Sequence, residues 1–199
     1  MTIRPPATQS SGTRAALFVA LILSLVGGRG VAYASDVDVT RQALVLARAL
    51  AYDRNLPDRA GATVGIGVLY KTGDHEDSAK KAYESFSALG GVKVGGLPVE
   101  ITLVEWHDAD TLINGIESGG IDALYVCAGL TDQVEAIKQV SRAKRVLTLA
   151  SQRSYVEAGM TLGVFENAGE PKLAVNLPAS KAEGASFSAE LLRLAEVIR

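Results

Sequence analysis

The fold class can be inferred from one seven-residue run, Val64-Gly65-Ile66-Gly67-Val68-Leu69-Tyr70 (VGIGVLY). It is short and apolar, and it is bounded by Gly61 and by the polar residues 71–74, which is typical of a strand buried on both faces. Residues 78–89 follow with apolar side chains at helical spacing, and Gly90 supplies a helix stop. The pattern predicts a buried strand followed by a helix.

The same strand–helix unit recurs along the chain. Residues 99–104 alternate as a strand does, and Asp108 or Asp110 can cap a helix over residues 112–117. The pattern continues with a strand over residues 123–126, a helix over 131–140 capped by Thr131, and a strand over 146–149. Strands that alternate with helices require parallel pairing and right-handed crossovers. The sequence therefore predicts an α/β domain, with a mostly parallel sheet flanked by helices.

The last third of the chain changes character. Residues 161–165 and 172–177 are strand-like, and the residues between them are typical of a hairpin turn. We expect this C-terminal antiparallel hairpin at one edge of the sheet.

Two further helices are expected at the ends of the domain. A first helix is capped by Asp38 or Thr40 and ended by Pro57, with Asp53 on its exposed side. A terminal helix covers residues 188–197, and its inward side chains are Leu191, Leu192 and Leu194.

The first 34 residues read as a secretory signal peptide. Arg4 and Arg14 precede the uncharged run 15–26, and Ala32-Tyr33-Ala34 forms a small-residue cleavage pattern before Ser35. The run has 12 residues, whereas a transmembrane helix needs about 20, so a retained anchor is the weaker alternative. We predict cleavage after Ala34, a periplasmic location, and a single α/β domain over residues 35–199.

Composition excludes several classes of protein. The chain has 199 residues, of which 48% are hydrophobic and 21% charged, and this is an ordinary globular composition. Loss of residues 1–34 removes three arginines and no acid, leaving 17 basic against 22 acidic residues, so no nucleic-acid partner is expected. No second apolar span of 18 residues follows Ser35, which predicts no integral membrane segment after cleavage.

Polar side chains follow the predicted strands at their carboxyl ends. Because ligands of open parallel sheets bind outside those ends, a ligand crevice is plausible there. Its candidate residues are Asp74, His75, His107, Asp108, Cys127 and Gln152.

Metal and cofactor chemistry have weak support. His75, Glu105, His107, Asp108 and Asp110 are suitable ligand types, but no paired spacing of the H-E-x-x-H kind occurs, so we predict neither a metal nor a cofactor. Acidic residues after a strand more often cap the next helix.

Nucleotide binding and catalysis also lack their motifs. The third glycine of a dinucleotide fingerprint would fall at Tyr70, and no P-loop or G-x-S-x-G elbow is present. Cys127 ends an apolar strand and is expected to be a buried core residue, unable to form a disulfide because it is the only cysteine. The sequence predicts a protein that is not an enzyme.

The predicted hairpin and the segment that follows it carry apolar side chains that could contact a partner protein. Phe165, Leu173, Val175 and Phe187 would form a partner-binding surface if they were exposed at the sheet edge. Burial against the terminal helix is the competing explanation.

The order of these segments resembles the YfiR-like family of small exported proteins. The resemblance covers essentially all of residues 35–199 and rests on the early helix and on residues 92–100, 123–126, 146–149, 155–160, 175–177, 179–184, 187–188 and 191–195. It implies a periplasmic repressor that binds the periplasmic sensor domain of an inner-membrane diguanylate cyclase by protein–protein contact and so lowers cyclic di-GMP. A homodimer is possible, but the sequence does not determine the oligomeric state. Relatives with disulfides have cysteines that this chain lacks, so the resemblance carries over no redox switch.

A second hypothesis comes from a different class of protein. Residues 64–74 followed by a helix and a strand resemble one lobe of a periplasmic substrate-binding protein, which closes two lobes around a small solute. Residues 35–199 supply one lobe, so the alternative function is that of a small-solute binding accessory.

Overall fold

A computed structural model describes residues 37–73, 75–167 and 170–199 of the chain. These residues form a mixed α/β fold around a seven-stranded, mostly parallel sheet of order β2-β1-β3-β4-β5-β6-β7. The strands are β1 (Val64–Tyr70), β2 (Val99–Glu105), β3 (Ile121–Val126), β4 (Leu147–Ala150), β5 (Leu162–Asn167), β6 (Glu170–Asn176) and β7 (Glu196–Ile198). The predicted fold class is confirmed. The predicted signal peptide lies outside the described residues.

Helices cover both faces of the sheet. They are α1 (Val39–Leu50), α2 (Leu56–Ala60), α3 (Glu76–Ser87), α4 (Ala109–Gly119), α5 (Val134–Lys144), α6 (Arg153–Glu157), α7 (Leu177–Ala182) and α8 (Ala189–Leu194). Apolar side chains of α1, α2, α3 and α8 pack in one core layer, and those of α4, α5 and α6 pack in the other. Both layers are continuous with the sheet because successive strand residues point to opposite faces.

Strand β1 is an interior strand of the sheet and is buried, as its apolar sequence predicts. Its first six residues are buried, and it pairs in parallel with β2 on one side and β3 on the other. Gly65 is required there, since a Cβ at this position would lie 2.0 Å from the Gly120 carbonyl oxygen. The glycine allows β1 and β3 to approach where their register shifts.

The C-terminal end of the sheet differs in detail from the sequence expectation. Strands β5 and β6 form the antiparallel hairpin, but β7 pairs in parallel with β6 and is the outermost strand. The predicted helix over residues 188–197 was therefore too long, because α8 ends before Ala195. Leu191 is buried, whereas Leu194 is 65% exposed and does not turn inward as predicted.

Asp53 is buried, although its position after the first helix predicted exposure. Its Oδ1 accepts hydrogen bonds from the Asn55 and Ser186 backbone N–H groups at 3.1 and 2.7 Å. Its Oδ2 lies 2.9 Å from Nη2 of Arg59, and Nη1 of Arg59 donates to the Gly184 carbonyl at 3.1 Å. One carboxylate thus joins the segment after α1 to the loop before α8.

Glu183 is a second buried carboxylate, held by hydroxyl and amide donors. Its oxygens accept hydrogen bonds from the hydroxyls of Ser141 (3.0 Å), Thr148 (2.8 Å) and Thr161 (2.5 Å), and from the Thr148 N–H (2.9 Å). Burial raises the pKa of Glu183, and these hydrogen bonds oppose the rise by stabilising the charged form. The network joins α5, β4 and the start of β5 to the end of α7.

Candidate functional site

A crevice lies at the carboxyl ends of the central parallel strands. In the order β2-β1-β3-β4 the chain reverses direction across the sheet between β1 and β3, and ligands of open α/β sheets bind at such a switch point. The walls of the crevice, which we call the strand-end crevice, are Val37, Val39, Gln42, Ser78, Tyr125, Cys127, Ala128, Ser151 and Gln152. They enclose about 440 Å³, including the part open to solvent.

Gln42 fixes α1 over the floor of this crevice. Its Oε1 accepts a hydrogen bond from the Tyr125 hydroxyl at 2.8 Å. Its Nε2 donates to the carbonyl oxygens of Val164 at 3.2 Å and Ser151 at 3.4 Å. The side-chain amide is thus used at both ends to join α1 to strands β3 and β5.

Ser151 contributes a polar group that the fold does not use. In the described part of the chain, its buried Oγ has no hydrogen-bond partner. Buried hydroxyls are nearly always paired, and an unpaired one costs about 1–3 kcal/mol. The strand-end crevice therefore combines apolar walls from Val37 and Val39 with an unpaired hydroxyl buried behind its surface.

Cys127 lies in the crevice wall as a protonated thiol. It is 2% exposed, and burial raises its pKa to about 12. The thiolate is the nucleophilic form of cysteine. At neutral pH this side chain is therefore an apolar surface, as its sequence context predicted.

The structure divides the six residues predicted for a ligand crevice. Cys127 and Gln152 line it. His75 is not among the lining residues, and its ring packs against Gly129, where a Cβ would approach the ring Cδ2 to 2.3 Å. Asp74 is outside the described residues.

His107 and Asp108 belong to a different part of the surface. His107 Nε2 lies 3.5 Å from a Glu105 carboxylate oxygen beside strand β2, at the outer edge of the sheet. Asp108 caps α4 by accepting a hydrogen bond from the Thr111 N–H at 2.7 Å, and that bond lowers its pKa. In the described residues, no group of three or more His, Cys, Asp and Glu side chains could hold a metal ion.

The apolar residues predicted for partner contact are mostly in the core. Val175 is fully buried, Phe165 is 6% exposed and Phe187 is 9% exposed, so the exposure assumed for these three is absent. The Phe165 ring packs over Gly163, where a Cβ would lie 2.1 Å from the ring Cζ. Leu173 alone is half-buried.

Leu173 lines a second depression that the sequence did not reveal. This depression, the α1–α8 groove, is lined by Val45, Arg48, Ala49, Tyr52, Glu170, Pro171, Lys172, Leu173, Leu191 and Leu194. It has about 770 Å³ of open space, and exposed Leu194 stands at its rim. Leu194 lies in the last turn of α8, where the sequence predicted an inward side chain, and its exposure leaves apolar surface beside the groove.

The chain has a mostly parallel sheet with an open crevice at its strand ends, and the crevice wall contains a protonated thiol. These features define an α/β domain with a crevice that could hold a small molecule. The chain belongs to the YfiR/HmsC-like family, whose model matches residues 41–196. A comparison with curated protein sequences gives no match.

Solved structures similar to this chain are larger α/β proteins. A conserved domain protein from Vibrio cholerae has a TM-score of 0.59 at 13% identity, covering 81% of this chain and 60% of that one. The "ABC domain in complex with L-Trp" from Streptococcus pneumoniae has a TM-score of 0.57 at 12% identity, covering 81% and 62%. CD0873, a substrate-binding protein from Clostridium difficile, has a TM-score of 0.50 at 17% identity, covering 73% and 57%. The chain thus spans about three fifths of their length, and the likeness is one of fold.

Proposed function

We propose that this protein is a periplasmic regulator that binds the periplasmic sensor domain of an inner-membrane diguanylate cyclase and represses it by contact. The observation that carries the proposal is membership of the YfiR/HmsC-like family over residues 41–196. Family membership supports a regulatory rather than a catalytic role. The protonated Cys127 is consistent with this, since it removes the most reactive side chain of the strand-end crevice.

Export is part of the same proposal. Residues 1–34 act as a signal peptide that is cleaved after Ala34, so that the single α/β domain of residues 35–199 reaches the periplasm. In the residues that the structure describes, no helix has the length and apolar character to cross a bilayer.

The α1–α8 groove is the proposed contact surface for the sensor domain. Leu194 is 65% exposed and Leu173 is half-buried, which supplies apolar surface for a partner to cover. Arg48, Lys172 and Glu170 are exposed on the same groove, so charges of both signs flank that apolar surface. Binding that favours one conformation of the cyclase by about 1.4 kcal/mol shifts its equilibrium roughly tenfold, so no chemical step is needed.

The test is capture of the cyclase together with its output. The tagged protein is used to isolate detergent-extracted inner-membrane proteins from its own host, and cyclic di-GMP is measured in cells that lack or express it. We expect a membrane protein with a periplasmic sensor and a cyclase domain, and a lower cyclic di-GMP level in expressing cells. Leu194→Asp and Leu173→Asp should abolish both effects.

Asn114→Asp is the matched control, because it adds one negative charge on the exposed surface of α4. If the control behaves like the groove variants, or the groove variants repress normally, the groove is not the contact surface. Unchanged cyclic di-GMP on deletion of the protein would contradict the regulatory function itself.

A second candidate function is small-solute binding in the strand-end crevice. The unpartnered Ser151 Oγ favours it, as does the position of the crevice at the switch point of the sheet. Thermal shift against amino acids, tryptophan included, and small anions tests it, since a saturating ligand must raise the Tm. A Tm increase that Ser151→Ala reduces would support the candidate. No increase with any of these solutes at millimolar concentration would contradict it for these classes.

A further inference from the structure

Strand β2 (Val99–Glu105) is an open edge of the sheet. It pairs with β1 on one side and is the first strand of the order, so in the part of the chain that the structure describes no strand pairs with its outer side. The opposite edge strand, β7, has 3 residues, whereas β2 has 7. Natural proteins protect long edge strands with charged side chains, lysine above all, with proline or with bulges. The sequence VEITLVE contains two glutamates but neither lysine nor proline.

Two hydrogen bonds determine which backbone groups of β2 face outward. The Pro98 carbonyl accepts from the Val64 N–H, and the Trp106 N–H donates to the Tyr70 carbonyl, so both even-numbered residues turn towards β1. Backbone groups of successive residues in a strand point to opposite sides. The outward N–H and C=O groups of β2 therefore belong to the odd-numbered residues Val99, Ile101, Leu103 and Glu105.

The side chains of the odd-numbered residues add an apolar surface at this edge. Ile101 lies beside Ile66 and Leu103 beside Val68, on the face covered by α3. Leu103 is nevertheless 45% exposed, and with Leu194 it is one of two large hydrophobic side chains exposed in the described residues. An apolar side chain and open backbone groups thus occur on the same strand edge.

We propose that β2 pairs antiparallel with β2 of a second copy of this chain, about a two-fold axis through Thr102, the central residue of the strand. In that register Ile101 lies opposite Leu103 and Val99 opposite Glu105. These are the residues with outward backbone groups, so each pair exchanges two N–H···O=C bonds. Seven strands from each copy form one continuous sheet.

The side chains of β2 are complementary to themselves in this register. Leu103 is covered by Ile101 of the partner, Glu100 lies opposite Val104, and no two like charges are directly opposed. Thr102 lies opposite Thr102 of the partner, and threonine pairs across antiparallel strands are favourable. The axis at Thr102 also uses all seven residues of the strand, which no other two-fold position does.

Disulfide trapping tests the register directly. Thr102 would form a non-hydrogen-bonded pair with its copy, at a Cα···Cα distance of about 4.5 Å, which a disulfide can bridge. We expect Thr102→Cys to give a covalent dimer under mild oxidation. Glu100→Cys is the control, because two copies of residue 100 would be roughly 13 Å apart along the paired strands. The native Cys127 is buried and does not interfere.

Charge variants test the same axis without oxidation. Light scattering should give the mass of two chains for the native protein, and of one chain for Thr102→Lys and Thr102→Glu alone, since each places like charges opposite each other. An equimolar mixture of the two variants should recover the dimer. The Thr102 side chain is exposed, so we expect both charge variants to fold. Circular dichroism checks this.

Three results would overturn the proposal: a monomeric native protein at 100 µM concentration (roughly a hundred times a micromolar Kd), charge variants that stay dimeric, or cross-linking by Glu100→Cys as efficient as by Thr102→Cys. None of these results bears on the regulatory function, which concerns the α1–α8 groove.

Discussion

Replacement of Asp53 by alanine should destabilise the domain far more than loss of an exposed ion pair. Two backbone donors, at Asn55 and Ser186, lose their acceptor, and the Arg59 guanidinium loses its counter-charge. The Asp53 side chain is 0% exposed and that of Arg59 is 16% exposed, so water can replace little of what is lost. Removing one partner of a buried pair typically costs about 3–5 kcal/mol.

Urea denaturation measures this loss. With a slope of about 2 kcal/mol per M, a loss of 3–5 kcal/mol lowers the midpoint by roughly 1.5–2.5 M. Glu117→Ala is the matched control, because its carboxylate pairs with Lys144 at the surface, with side chains 58% and 31% exposed. Glu117→Ala should lower the free energy of unfolding by at most about 1 kcal/mol.

Hydrogen exchange separates a local from a global effect. In Asp53→Ala the amide of Ser186, which loses its acceptor, should exchange faster than amides of the buried interior strand β1. If Asp53→Ala and Glu117→Ala shift the urea midpoint equally, the Asp53 carboxylate does not stabilise the fold in the way its contacts indicate.

Three further predictions follow from buried groups. Gly163→Ala should cost about 1–3 kcal/mol by displacing the Phe165 ring, and thermal unfolding should show a Tm lower by roughly 2–12 °C; an unchanged Tm would contradict the packing. Because burial raises the Glu183 pKa, its contribution to stability is complete below the ordinary value of 4.5 and declines as pH rises above it. Urea titrations should therefore show the advantage of the native protein over Glu183→Gln shrinking from pH 4.5 upward, and a pH-independent difference would refute this. With a pKa of about 12, the Cys127 thiol should react with iodoacetamide at pH 8 only after unfolding, as mass spectrometry of native and urea-treated protein would show.

Local sequence determined much of the fold because hydrophobic spacing and helix caps act over a few residues. The buried run Val64–Tyr70 forms an interior strand, and Asp108 caps α4, one of the two alternatives that the sequence offered. The strand-end rule predicted a crevice, and Cys127 and Gln152 lie in the wall of one. These predictions needed no knowledge of which strands are neighbours.

The failures all depend on long-range pairing. Residues 196–198 continue a helical pattern locally, but pairing with β6 satisfies backbone groups that would otherwise be open, and a strand forms there. Asp53 finds its donor at Ser186, 133 residues away in sequence, so its burial has no local signal.

Strand order explains why the predicted site was divided. His107 follows β2 and Cys127 follows β3, but β1 separates these two strands in the sheet. The sequence placed Phe165 on a hairpin at the sheet edge, where it could be exposed. In the structure β7 is the outermost strand and helices cover both faces, so Phe165 is buried against Gly163. The α1–α8 groove was missed because it joins segments from the two ends of the domain.

The Asp53 carboxylate also bears on how the newly made chain reaches its folded state. The loop Gly184–Ser188 is synthesised long after α1, and until it arrives Asp53 and Arg59 lack the backbone groups that complete their contacts. A polypeptide that has emerged only as far as β6 lacks the Ser186 N–H, the Gly184 carbonyl and strand β7, so the charge pair is open to water and the sheet is unfinished. We expect such a chain to unfold easily, and to resist unfolding only once the C-terminal segment has completed these contacts.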